Sequence, residues 1–468
     1  MTDHDKPLSR RDFLKMASVT AMGSFLAACA PRMTVTPEMV SPQETSAPQA
    51  TPTMPSPTSK DAIQWWVGWG ELVPIFDSFK QMSKYKELMG DQNVEMKPSI
   101  TDEALFTALA AGTPPDIASN IAYLDVFARD VCVDIQDWVA KSSIVMKDKF
   151  IPGNWEGGFY KGKQYGVPAL ECFVRYGLNY NSRLVEAAGL DPNNPPVTWE
   201  DTLEWHKALT KFDNAGNLLT IGLDPMDAEG AAINDGFLAA RSWGIKWFDP
   251  DTGKFDLNNE KMANAFETYA QFYKIVGVDN MAGMRQVAAN ETWGGSFNSE
   301  VQAMIIEGYW HPGETMAQKP EVAKYNRATW VPVPEERRGE KIQGTGGHYV
   351  VFFKEAKKTE PALKFAEFLT TDELCDKVFS ELGWLPAYQP FLDKVDPTTY
   401  PGLDFYFKSV KEATDIQPAI PCPISAFVQT TYEQLSDDVF RDKMTSQEAA
   451  AELQKRCEQE YINAGFAG

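Results

Sequence analysis

The sequence predicts an α/β protein built as two lobes, each a mostly parallel sheet flanked by helices, on three observations. Short apolar strands alternate with helical periodicity along the body, a pattern that packs helices on both faces of a parallel sheet. About 408 residues follow Lys60, more than one hydrophobic core ordinarily serves. Apolar residues make up 43% of the chain, enough to fill two such cores.

The elements follow in order. Ile63–Val67 (IQWWV) reads as the first strand, ended by Gly68-Trp69-Gly70. In such a strand Trp65 and Trp66 face opposite sides, so one of them belongs to the core. A helical pattern runs through Phe76, Phe79 and Tyr85, followed by a strand over residues 94–98. Residues 103–111 form a helix with Leu105 and Leu109 on one face, closed by Gly112 with Pro114 and Pro115 beyond. Asp116-Ile117-Ala118 resumes as a strand, and residues 165–180 are strand-like and rich in aromatics. A helix over 199–209 starts at Thr198, a good N-cap, with Asp201 three residues on. Later come a helix over 261–276, strands over 301–306 and 346–353, and a helix over 360–369. A closing helix spans 445–461, where Thr445 and Glu448 make a capping box and Ala449, Leu453 and Cys457 share a face. No internal repeat is visible.

The first sixty residues stand apart from this body. Ser9-Arg10-Arg11-Asp12-Phe13-Leu14-Lys15 matches the twin-arginine export pattern, with Arg10 and Arg11 as its core. A mildly apolar run over residues 16–28 is too short and polar to span a bilayer. It closes on Leu26-Ala27-Ala28-Cys29, which resembles a bacterial lipoprotein signal. That resemblance makes residues 1–29 the signal segment. It implies cleavage before Cys29 and lipidation of Cys29, the new N-terminus, at the outer face of the cytoplasmic membrane. Residues 30–60 hold seven prolines and ten Ser or Thr, so they cannot bury enough apolar surface to order themselves. At about 3 Å per residue this tether reaches up to roughly 90 Å.

Composition narrows the function. A formal charge of −21 argues against nucleic-acid partners. Beyond Cys29 the cysteines are Cys132, Cys172, Cys375, Cys422 and Cys457, without a CxxC pair, and only four histidines occur. A zinc site is not expected, and neither a metal nor a cofactor is called for. Serine-hydrolase elbow, HExxH and Walker patterns are missing, so the chain is not expected to be an enzyme.

Several blocks, in order, resemble the family 1 extracellular solute-binding proteins over roughly residues 61–465. They are IQWWVGW at the first strand, LFTALAAGTPPDIA from Leu105, KGKQYGVP from Lys161, LNYN from Leu178 and EAAGL from Glu186. PVTWE from Pro196, MIIEGYW from Met304, Gly346-Gly347, FAEFL from Phe365 and GWLPA from Gly383 complete the set. The resemblance implies a type II periplasmic-binding-protein fold with a ligand cleft between the lobes. Residues 61–170 and 346–385 would form the N-terminal lobe, and 171–345 and 386–468 the C-terminal lobe. The first crossing would fall near 169–173, with a return near Gly346 and a departure near Trp384. It also implies a monomeric substrate-binding lipoprotein of an ABC importer, capturing a mono- or oligosaccharide and passing it to the permease's transmembrane subunits. A non-sugar solute on the same fold is the alternative, and a secreted carbohydrate-active enzyme a more distant one.

A sugar presents hydroxyls at its rim and C–H groups on its faces, so its site needs aromatic platforms and polar partners. The candidates are Trp69 and Glu71 after the first strand, Asn120 after the PDIA strand, and Glu171 in the expected crossing. Trp243 and Trp293 in second-lobe loops, Trp310 in Gly308-Tyr309-Trp310, His348 and Trp384 complete the set. A carboxylate at Glu171, among Leu170, Cys172 and Phe173, must meet a ligand or Arg175.

Overall fold

The computed structural model describes residues 61–227, 232–233, 236–288 and 294–466. Arg10, Arg11, Cys29, the tether and Trp293 lie outside the described residues.

The first strand, β1 (Ile63–Val67), alternates buried and half-buried positions, as a two-residue period on a covered face requires. Trp65 is the core member of its tryptophan pair, its Nε1 donating to Ser119 Oγ at 3.1 Å. Trp66 points outward, under the Lys97 ammonium 4.0 Å from its ring centroid. β1 pairs in parallel with β2 (Val94–Lys97) and β3 (Ile117–Ser119). The expected helix through Phe76 and Tyr85 is two short ones, Val73–Phe79 and Ser83–Met89. Helix α1 (Asp102–Ala110) is capped by Thr101, which accepts from the Ala104 N–H. It buries Leu105 against the sheet. Helix α2 (Tyr123–Ala128) follows β3, and β4 (Gly166–Val167) closes the first passage through this lobe.

The second sheet is ordered β9-β5-β8-β7-β6, with β5 (Gly177–Asn181), β6 (Lys211–Phe212), β7 (Leu218–Leu223), β8 (Gln302–Glu307) and β9 (Asn326–Thr329). Here the expectation of a mostly parallel sheet is corrected. Only β7 and β8 pair in parallel, while β5 runs antiparallel to both β8 and β9 and β6 antiparallel to β7. Strand β5 enters from the other lobe and not through a helical crossover from a neighbour, so nothing forces it to run parallel. Helix α3 (Trp199–Leu209) opens on the Thr198/Asp201 capping box and α4 (Glu260–Val276) on an Asn259 cap. After β8 comes α5 (Trp310–Gln318).

Strand β10 (Ile342–Gly344) leads back, and β11 (Val350–Phe352) inserts antiparallel between β3 and β4. The strand expected over 346–353 is shorter because Gly346 (φ +152) and Gly347 (φ +122) take a backbone that suits glycine. A Cβ on Gly347 would stand 2.7 Å from Cys172 Cα, so the two crossing segments touch there. Helices α6 (Thr359–Phe368) and α7 (Asp372–Leu382) return to the first lobe. Helix α8 (Ser425–Phe440) and α9 (Ser446–Asn463), with its Thr445/Glu448 capping box, pack on α4 in the second.

Two apolar clusters form the cores. Val174 belongs to the first and Tyr176 to the second, and the chain returns between Ile342 and Tyr349. Phe391, Leu392, Leu403 and Phe405 remain with the first cluster, and Cys422 is the next residue in the second. The helix Leu403–Glu412 is tied to the second sheet: Tyr406 Oη donates to the Glu307 carbonyl at 3.0 Å and accepts from Asn179 Nδ2 at 2.8 Å.

Candidate ligand-binding cleft

Between the two cores lies a cleft of about 470 Å³. It is assembled from strand ends and crossing segments, where an α/β sheet presents its binding loops. From the first lobe, Gly68 to Glu71 leave β1, and Asn120 leaves β3. A Cβ on Gly68 would lie 2.4 Å from the Asn120 carbonyl oxygen, so glycine is needed for these two loops to meet. Asn120 (φ +52) sits in the left-handed region, which Asn tolerates. Leu170 (φ +64) is there too, immediately before Glu171, and a branched side chain in that conformation marks local strain at the crossing.

The crossing segments are tied together by Asn154, whose Nδ2 lies 3.0, 2.9 and 2.7 Å from the carbonyls of Cys172, Phe173 and Gly346. The His348 N–H donates to the Glu171 carbonyl at 3.0 Å. That bond sets Glu171 beside His348. The Glu171 carboxylate receives Arg175 Nη1 at 2.8 and 2.9 Å, with both side chains almost wholly buried. His348 Nε2 stands 3.5 Å from the same carboxylate. The carboxylate therefore meets Arg175, one of the two partners its apolar neighbourhood demanded.

The second lobe contributes the start of α5. Gly308 has no side chain, and a Cβ there would stand 1.9 Å from Trp310 Cζ3, so the indole lies directly on the Gly308 backbone. The Arg175 guanidinium sits 4.2 Å from the Trp310 ring centroid, a cation–π contact inside the cleft. One helical turn on, Glu314 shares the face of Trp310. Its Oε1 accepts from Trp384 Nε1 at 2.6 Å. Tyr309 Oη holds the Trp384 segment by donating to the Leu385 carbonyl (2.8 Å) and accepting from its N–H (3.1 Å). Trp384 packs against Trp69 at 5.0 Å, and Trp69 meets the His348 ring edge-on at 4.8 Å.

Trp69, Glu71, Asn120, Glu171, Trp310, His348 and Trp384 thus converge on one cleft. Trp243 does not, which corrects the expectation for it. It follows the short helix Leu238–Ser242 and turns inward, 2% exposed, stacking on Trp199 at 5.9 Å beside Tyr269. Glu314 was not anticipated. Its signal was an acid four residues after Trp310, at a spacing that places both on one helical face.

Behind Trp310 lies a second polar pair. His311 Nδ1 is 2.8 Å from Glu307 Oε2, and both residues are 1% exposed. Burial pushes Glu307 up to about 8, against a hydrogen bond from Trp310, and pushes His311 down to about 3. Burial thus disfavours the charged form of both partners, which favours a neutral hydrogen bond over an ion pair. The two groups act oppositely on stability. Glu307, raised from 4.5, contributes stability present below that value and lost as pH rises through about 8. His311, lowered from 6.5, contributes stability present above that value and lost as pH falls towards about 3. Between the ordinary histidine value and the raised Glu307 value only the carboxyl titrates. Over that interval wild type is expected to lose about 2 kcal/mol relative to Glu307→Gln. Urea unfolding of both proteins at the two ends of the interval measures this; parallel changes would mean that Glu307 is ionised in the native state.

The family model for bacterial extracellular solute-binding proteins matches residues 77–374. No curated protein matches the sequence. Among solved structures, CpMnBP1 with mannotriose bound is similar with a TM-score of 0.74 at 18% identity, covering 85% of this chain and 100% of that one. An ABC transporter solute-binding protein from Thermotoga lettingae, bound with α-D-tagatose, gives 0.71 at 20% identity, covering 87% and 100%. The maltose/maltodextrin-binding domain MalE of Bdellovibrio bacteriovorus, bound to maltotriose, gives 0.67 at 17% identity, covering 86% and 100%. These likenesses establish a shared two-lobe fold, and the match over residues 77–374 establishes that the chain belongs to the bacterial extracellular solute-binding proteins.

Proposed function

We propose that this protein captures a carbohydrate, a mono- or oligosaccharide, in the cleft between its lobes and delivers it to the permease of an ABC importer without transforming it. The observation that carries this reading is the lining itself: Trp69, Trp310 and Trp384 beside Glu71, Asn120, Glu171 and His348 in one cavity of about 470 Å³. Flat indoles suit the C–H faces of a sugar ring, and the carboxylates, amide and imidazole suit its hydroxyls. The similar structures bound to mannotriose, tagatose and maltotriose support the same reading. Capture closes the cleft because the solute binds the closed arrangement better than the open one.

The test is a titration with mannotriose, maltotriose and tagatose. A bound sugar is expected to shrink the radius of gyration in solution scattering and to raise the melting temperature, since only the folded cleft binds it. The sugar is recovered unchanged. A product in the mixture would sink the transport reading, and a saturating sugar that moved neither quantity would sink the clamp.

The reading extends to anchoring through Cys29, after export directed by Arg10 and Arg11. An acyl chain supplies about 0.8 kcal/mol of membrane affinity per buried CH₂. Cys29→Ala is therefore expected to move the protein from the membrane fraction to the soluble one. A variant that stays with the membranes contradicts the lipid anchor.

A further inference from the structure

Within the cleft, one carboxyl oxygen is left over. Glu314 is 7% exposed and lines the cavity, yet its Oε2 is a buried oxygen with no hydrogen-bond partner among the described residues. Its other oxygen is committed, since Oε1 accepts the Trp384 indole N–H. An indole nitrogen only donates. A proton on the carboxyl is therefore best placed on Oε2, which leaves the carbonyl oxygen Oε1, the better acceptor, for the indole. The groups around it favour that proton. Burial is the largest, and the carboxylates of Glu71 after β1 and Glu171 in the crossing add to it, with Glu307 on β8 joining once it ionises, against the single Trp384 bond. The cationic groups of the lining are engaged elsewhere: Arg175 is held by both Glu171 oxygens, and His348 faces the same carboxylate.

We propose that Glu314 is a specificity-determining residue that, as the neutral acid, donates its Oε2–H to an uncharged oxygen of the solute, such as a hydroxyl or ring oxygen. This rests on the carbohydrate reading for its ligand. It assigns the cleft a donor where the sequence would suggest a charged acceptor. A buried donor with no partner costs free energy that a solute oxygen recovers on binding. The proton also links affinity to pH. A solute that holds the protonated form binds more weakly as the acid ionises, so affinity is flat on the acid side and falls as pH rises.

Two variants and one measurement without solute test this. Glu314→Gln keeps an oxygen for Trp384 and offers an N–H where the acid offers its O–H; Glu314→Leu offers neither. Each is titrated by calorimetry from mildly acidic to alkaline pH with whichever of mannotriose, maltotriose and tagatose wild type binds. The Gln variant is expected to stay within about threefold of wild type at neutral pH and to lose the alkaline decline. The Leu variant should bind about tenfold more weakly. A Gln variant as weak as Leu, a Leu variant equal to wild type, or a wild-type affinity that rises with pH overturns the proposal. Infrared spectra of the solute-free proteins address the proton directly. The protonated-carboxyl carbonyl band is expected to lose the Glu314 component in the Gln variant, and an unchanged band overturns the proposal whatever the solute. If wild type binds none of the three sugars while that component is present, the carbohydrate reading fails and the neutral acid stands.

Discussion

Arg175→Met is expected to destabilise the solute-free protein by about 3–5 kcal/mol, because it leaves the Glu171 carboxylate buried without its main counter-charge. The pair is 3% and 4% exposed at the side chains, so solvent screens it little. Arg175 also covers the Trp310 ring, and its loss uncovers that face. Glu171→Gln should cost a comparable amount by stranding the guanidinium. The double variant, Glu171→Gln with Arg175→Met, should recover most of the loss, since the desolvation penalty of both charges disappears together. Urea unfolding of the three variants gives the coupling between the two sites as a double-mutant cycle. Additive losses would mean that the pair is solvated in the free protein and that its geometry contributes little.

Trp310→Ala is expected to weaken solute binding by about 2 kcal/mol, or roughly thirtyfold, as truncation of a buried aromatic anchor does. The indole is 4% exposed and belongs to the first apolar cluster, so a cost to the solute-free melt accompanies it. The two contributions separate through a neighbour. Gly308→Ala places a methyl where the indole now lies and displaces the ring without deleting it. If Trp310 is a stacking platform, that variant loses more affinity than its melt accounts for, because the ring is present but no longer aligned. Calorimetric titration beside a thermal melt decides. Full affinity in both variants would reduce Trp310 to a core residue.

Much of this cleft was legible in the chain. Trp69, Asn120, Glu171, Trp310, His348 and Trp384 sit at the ends of short blocks whose order follows the fold, and strand ends are where loops meet. Two features were hidden for physical reasons. Trp243 has the composition of a platform, but an indole is as well satisfied by another indole, and Trp199 lay close enough to take it inward. Glu314 resembles any other acid in an acidic protein until the burial of its helix face is known. The direction of β5 was equally hidden, since strand pairing across more than a hundred residues leaves no local mark. Capping boxes, by contrast, are read within four residues, and those at Thr198 and Thr445 appear where the spacing placed them.

The buried thiols bear on when this protein can fold. Cys132, Cys375, Cys422 and Cys457 are free thiols inside the body. These four side chains reach their native packing without a covalent cross-link, so they place no demand on an oxidising compartment. A chain of this kind can be finished in the reducing interior of the cell, where it is made, and its thiols are shielded from oxidants by the time it meets them outside. The order of events, folding before passage or after it, is thereby left to the rates of folding and export and not to redox chemistry.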